Sequence, residues 1–108
     1  MIKTVKDIIQ NYKSTIEVFG SLDKQFSFLT LDSREVKKDA MFFAVKGTST
    51  DAHQYIPNVI EMGASVIVCS TLPKDLNSEV TYLLVEDVQQ SCGFLASEYY
   101  ETPSQHFK

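Results

Sequence analysis

The chain has 108 residues, 44% hydrophobic and 22% charged, which suits one globular domain with a modest core. Its net charge of -4 and pI near 5.0 argue against general attraction to nucleic acid or anionic membranes, so neither is an expected partner and an anionic ligand needs local donors. No apolar run approaches the roughly 20 residues that span a bilayer, and Lys3, Lys6 and Asp7 interrupt any signal-peptide pattern, so the expected location is the cytoplasm.

In chain order, Thr4 and Asp7 have the spacing of a capping box with Asp replacing Glu, and Val5, Ile8, Ile9 and Tyr12 follow at helical spacing. Ile16 to Val18 and Phe26 to Leu31 read as strands. Glu35 to Asp39 is charged and reads as a surface turn. The apolar run Met41 to Val45 lacks alternation, which suits a strand buried on both faces. Tyr55 to Met62 reads as a short helix with Pro57 in its first turn and Gly63 at its C-terminal cap. Ser65 to Cys69 reads as the next strand. Strand, helix and strand make a βαβ unit with parallel strands. Thr71 to Glu79 is a loop, Thr81 to Val85 a strand, and Asp87 caps a last helix with Val88, Cys92, Leu95, Ala96 and Tyr99 on its apolar stripe. Thr102-Pro103 ends that helix. The expected fold is α/β, a mixed sheet with a βαβ unit and flanking helices. Cys69 and Cys92 read as buried thiols rather than redox or metal groups.

Most signatures of enzyme chemistry are missing. The chain contains no Gly-x-x-x-x-Gly-Lys-Ser/Thr, Gly-x-Gly-x-x-Gly, Cys-x-x-Cys, His-Glu-x-x-His or Gly-x-Ser-x-Gly. With only His53 and His106, a His-rich metal site is excluded. Two polar clusters remain, Asp32-Ser33-Arg34 and Gly47-Thr48-Ser49-Thr50-Asp51, flanking the apolar run at strand ends, where α/β sheets bind ligands. Asp51 and His53 can be read as an acid/base pair serving Ser33, or as a turn cap and a histidine bonded to backbone where the helix begins. Arg34 can meet a phosphate or pair with a nearby carboxylate. Ser33, Thr48, Ser49 and Thr50 can hold a diphosphate or sugar through neutral donors, or form a solvated turn.

Four motifs in order, Leu31-Asp32-Ser33-Arg34-x-Val36, Met41-Phe42-Phe43-Ala44-Val45-Lys46-Gly47, Asp51-x-His53-x-Tyr55-Ile56 and Gly63-Ala64-x-x-Ile67-Val68, resemble the N-terminal domain of the Mur ligases. The resemblance covers nearly the whole chain. It implies that residues 1–103 bind the uridine diphosphate end of a UDP-N-acetylmuramoyl-peptide, and that 104–108 begin the connection to an ATP-binding domain. It also implies that Leu31 and Ser33 meet the uridine side and that Thr48, Ser49 and Thr50 line the loop at the nucleotide and diphosphate. Asp32, Arg34, Gly47, Asp51 and His53 would support these contacts, with no catalytic or metal-binding residue in this stretch.

Within the family, Tyr100-x-x-Pro103-Ser104 favours the ligases that add the third stem-peptide residue in peptidoglycan synthesis over those that add D-Ala-D-Ala. ATP and magnesium are implied for a longer enzyme with central and C-terminal domains. The 108 residues alone are expected to be inactive. Two departures stand out: Asp39-Ala40 where the family has Gly-Asp, and Asp51-Ala52-His53 where it has Asp-Gly-His. A free-standing binding or signalling module is the competing class. A phosphoacceptor receiver would need an acidic pair after its first strand, where this chain has Phe19-Gly20.

Overall fold

A computed structural model describes residues 3–10, 12, 16–45 and 51–101. The capping box starts helix α1 (Val5–Ile9): the Thr4 N–H donates to Asp7 Oδ2 at 3.0 Å, and the Asp7 N–H to Thr4 Oγ1 at 3.4 Å. The first of these bonds holds the Asp7 carboxyl below its ordinary range. Strand β1 (Lys3–Thr4) pairs antiparallel with β3 (Gln25–Phe26) in a small separate sheet.

Among the described residues the main sheet has five strands, in the order β2 (Glu17–Phe19), β7 (Thr81–Leu84), β6 (Val66–Cys69), β5 (Ala40–Phe43) and β4 (Phe28–Thr30). Strands β4, β5, β6 and β7 run parallel, with Met41 opposite Val66 and Val66 opposite Thr81. Strand β2 lies antiparallel on β7, which makes the sheet mixed. Helix α2 (Ile56–Glu61) connects β5 to parallel β6, forming the expected βαβ unit.

The missing alternation in Met41 to Val45 reflects burial on both sides. Met41, Phe43, Val66, Val68 and Leu83 pack with Val5 and Ile8 of α1 and with Val88, Leu95 and Tyr99 of α3 (Val88–Glu101). Ala40, Phe42, Ala44, Ile67, Cys69 and Tyr82 pack with Ile56 and Val59 of α2. Each fully buried large side chain contributes about 1.5–3 kcal/mol, so neither layer is dispensable in a chain this short. Asp87 caps α3 as expected, Oδ1 accepting the Gln90 N–H at 3.2 Å. The helix end at Thr102-Pro103 and the segment 104–108 lie outside the described residues.

Phe26 to Leu31 is two strands rather than one. The Ser27 N–H donates to Asp39 O at 2.9 Å and its carbonyl accepts the Tyr99 hydroxyl at 2.9 Å, so both backbone groups leave the ladder. The chain changes sheets there. At the first family departure, Asp39 takes the left-handed conformation, φ 64°, and so supplies the turn a glycine would make. Gly63 caps α2 at φ 113°, where an added Cβ would lie 2.7 Å from Lys38 Cα. Cys69 is fully buried, which raises its thiol to about 11, and Cys92 is half-buried. Among the described residues no helix is long and apolar enough to cross a membrane.

Candidate functional site

Strand β4 ends at Thr30, whose buried hydroxyl accepts the Asp32 N–H at 3.0 Å and turns the chain. A 3-10 turn follows (Ser33–Glu35), capped by Asp32 through Arg34 N–H at 2.9 Å. Arg34 then folds back on its cap, Nε to Asp32 Oδ1 and Nη2 to Oδ2, both at 3.1 Å. This fork holds the Asp32 carboxyl below the usual carboxylate range. Arg34 therefore pairs with a local carboxylate, its side chain 88% exposed, and Nη1 takes no partner among the described residues. Leu31 is 52% exposed beside this turn and Ser33 is half-buried.

The chain beyond β5 builds the opposing wall. The Ala52 N–H donates to Val45 O at 3.1 Å, so the flanks of 46–50 meet. Gly47, Thr48, Ser49 and Thr50 themselves lie outside the described residues. Asp51 caps a second 3-10 turn (Ala52–Tyr55), its Oδ1 accepting the His53 N–H at 3.0 Å. At three residues per turn, Ala52 and Tyr55 share one side, while the ring of His53 leaves on another. His53 Nδ1 lies 2.6 Å from Asp51 Oδ1, and Nε2 accepts the backbone N–H of Ser70 at 3.1 Å. Ser70, just past β6, thus occupies the nitrogen that an acid/base reading assigns to Ser33.

Between the walls is a cleft of about 650 Å³. Leu31, Asp32, Ser33 and Arg34 form one side, Ala52 and Tyr55 the other, and Phe42 the floor. It opens at the carboxyl ends of β4 and β5, where an α/β sheet offers strand-to-helix loops to a ligand. Asp32 and Arg34 neutralise each other, so the cleft combines an exposed apolar side chain, a tyrosine ring and neutral or half-satisfied donors. That suits a flat polar ring bearing a phosphate better than a bare polyanion. Among the described residues no cluster of three His, Cys, Asp or Glu could hold a metal ion.

The cleft joins Leu31, Ser33, Asp32 and Arg34. Asp51 and His53 support its far wall from behind. Sequence reasoning missed Phe42, Ala52, Tyr55 and Ser70. The Asp51 cap and the Ala52-to-Tyr55 interval were signals for two of them, but the helix was read as starting only at Tyr55 and no 3-10 turn was read before it. Ser70 left no signal, because it acts through its backbone.

A sequence profile described as "Mur ligase family, catalytic domain" matches residues 25–100. The chain is 40% identical over 106 residues to a UDP-N-acetylmuramoyl-L-alanyl-D-glutamate--2,6-diaminopimelate ligase of Cytophaga hutchinsonii, covering 96% of this chain and 21% of that protein. It is 36% identical over 88 residues to a UDP-N-acetylmuramoyl-L-alanyl-D-glutamate--L-lysine ligase of Staphylococcus haemolyticus, covering 82% and 18%. The chain thus spans about a fifth of the length of the curated relatives it matches. In fold it resembles crystalline MurF from Acinetobacter baumannii, with a TM-score of 0.74 at 21% identity, over 97% of this chain and 22% of that one. The match over residues 25–100 and the near-complete alignment with curated relatives have one conclusion: the chain belongs to the Mur ligase family.

Proposed function

We propose that this chain is the substrate-recognition part of a ligase that adds the third residue of the peptidoglycan stem, and that its cleft receives the UDP end of UDP-N-acetylmuramoyl-dipeptide. The observation that carries the reading is the convergence of Leu31, Ser33, Arg34 and Tyr55 on one cleft, in a chain whose relatives are named for that nucleotide substrate. In this reading Leu31 and Tyr55 cover the uracil faces and the Ser33 hydroxyl hydrogen-bonds the uridine side. Arg34 keeps its fork on Asp32 and turns Nη1 to the diphosphate. Thr48, Ser49 and Thr50, with the amide of Gly47, complete the diphosphate contacts. Asp51 and His53 position the far wall and transfer no proton.

Relatives named for either 2,6-diaminopimelate or L-lysine match this stretch, which supports assigning the choice of amino acid to other parts of the enzyme. ATP and magnesium do not fit the residues present, which include no Gly-x-x-x-x-Gly-Lys-Ser/Thr. In this reading they belong to other domains of the ligase. The 108 residues bind and orient the nucleotide without catalysing ligation. The enzyme works in the cytoplasm.

With a fifth of the ligase present, binding is weak, from about millimolar to tens of micromolar, or roughly -4 to -7 kcal/mol. Calorimetric titration with UDP, uridine and ADP tests this. Saturable heat with UDP, less with uridine and none with ADP is the expected order. Equal heat with ADP and UDP would contradict a uracil-reading cleft.

A further inference from the structure

The Asp51, His53 and Ser70 contacts are more specific than a turn cap requires. His53 belongs to the Ala52–Tyr55 turn, but its ring points away from the cleft and is only 14% exposed. There it meets two partners from different elements. The Ser70 backbone N–H can only donate, so Nε2 must accept, and the ring proton resides on Nδ1, facing Asp51 Oδ1 at 2.6 Å. The Ser70 hydroxyl lies 3.4 Å from the same Nε2. The ring is thus a neutral bridge from the wall turn to the end of β6, and its tautomer is fixed by a backbone donor 17 residues away.

We propose that His53 is a positioning residue for the cleft, tying Ala52 and Tyr55 to the rigid end of β6 through Ser70 and so presetting the gap between Tyr55 and Leu31. The proposal rests on the functional reading above. Without this bridge, the wall keeps the Ala52 N–H to Val45 O bond, the Asp51 cap, the packing of Ala52 on the core and the start of α2, none of which ties the turn to the end of β6 through a side-chain hydrogen bond. A wall that must be ordered on binding reduces affinity, because the ligand then bears that entropy.

Ring nitrogen-15 NMR and UDP affinity test it on this chain. The ring spectrum of the wild type should report protonated Nδ1 and unprotonated Nε2. His53→Gln carries an acceptor to the Nε2 position, whereas His53→Asn reaches only the Nδ1 position. UDP affinity should therefore stay within about threefold for the Gln variant and fall about tenfold or more for Asn, with cooperative melting in both. An Nε2-protonated ring, or Gln and Asn variants that bind as tightly as wild type, overturns the positioning role alone. Wild-type protein that does not bind millimolar UDP overturns the reading of the cleft and this role with it.

Discussion

Asp39 carries a side chain at φ 64°, a conformation that costs an L-residue about 1–2 kcal/mol and a glycine almost nothing. Its N–H bonds Gly63 O and its carbonyl bonds Ser27 N–H, both at 2.9 Å, so the surrounding structure enforces the strain. Asp39→Gly should stabilise the protein by up to about 1 kcal/mol, part of the relief being lost to the freer unfolded chain, with a raised urea midpoint as the readout. The converse holds at Gly63: Gly63→Ala combines φ 113° with the approach to Lys38 and should cost about 1–3 kcal/mol by the same measurement. Asp7 and Asp32 both ionise more readily in the folded chain, through Thr4 N–H and the Arg34 fork respectively. Their contribution is complete above the unfolded carboxylate value and is lost as pH falls through the lower folded ones. Urea midpoints should thus decline below about pH 4, and less steeply in Asp7→Asn, which removes the titrating carboxyl, and in Arg34→Ala, which removes the fork.

At the scale of elements, the break at Ser27 depends on α3 reaching across to it. Tyr99→Phe removes the donor to Ser27 O and should destabilise by about 0.5–1.5 kcal/mol in urea unfolding, with amide exchange quickening around residues 26–28. This bond also marks where sequence reading stops. Asp7, Asp87, Pro57 and Gly63 announce helix ends by local chemistry, and the Met41 to Val45 run announces a strand covered on both faces. The division of Phe26 to Leu31 depends on Tyr99 and Asp39, distant in sequence, so no local pattern could carry it. The cleft was legible in the same uneven way. Leu31 to Arg34 stood out as a polar break after an apolar run, whereas Tyr55 joined through the pitch of a 3-10 turn.

At the scale of the molecule, the helices of the described residues, α1 and α3 on one face and α2 on the other, hold a sheet whose carboxyl ends supply both walls of the cleft. Phe42 belongs to the core and to the cleft floor together, so Phe42→Ala should cost about 3–5 kcal/mol and weaken UDP binding, which thermal melts and calorimetry would register. Such overlap of core and site is expected where the binding groups stand on short turns directly against the sheet. The most direct test of the central claim is a heteronuclear NMR titration of the labelled chain with UDP and then UDP-N-acetylmuramic acid. Saturable amide shifts at Leu31 to Arg34 and Ala52 to Tyr55, extended by the sugar toward 46–50, are the predicted result. Saturable shifts centred elsewhere, or none at millimolar nucleotide, would contradict it.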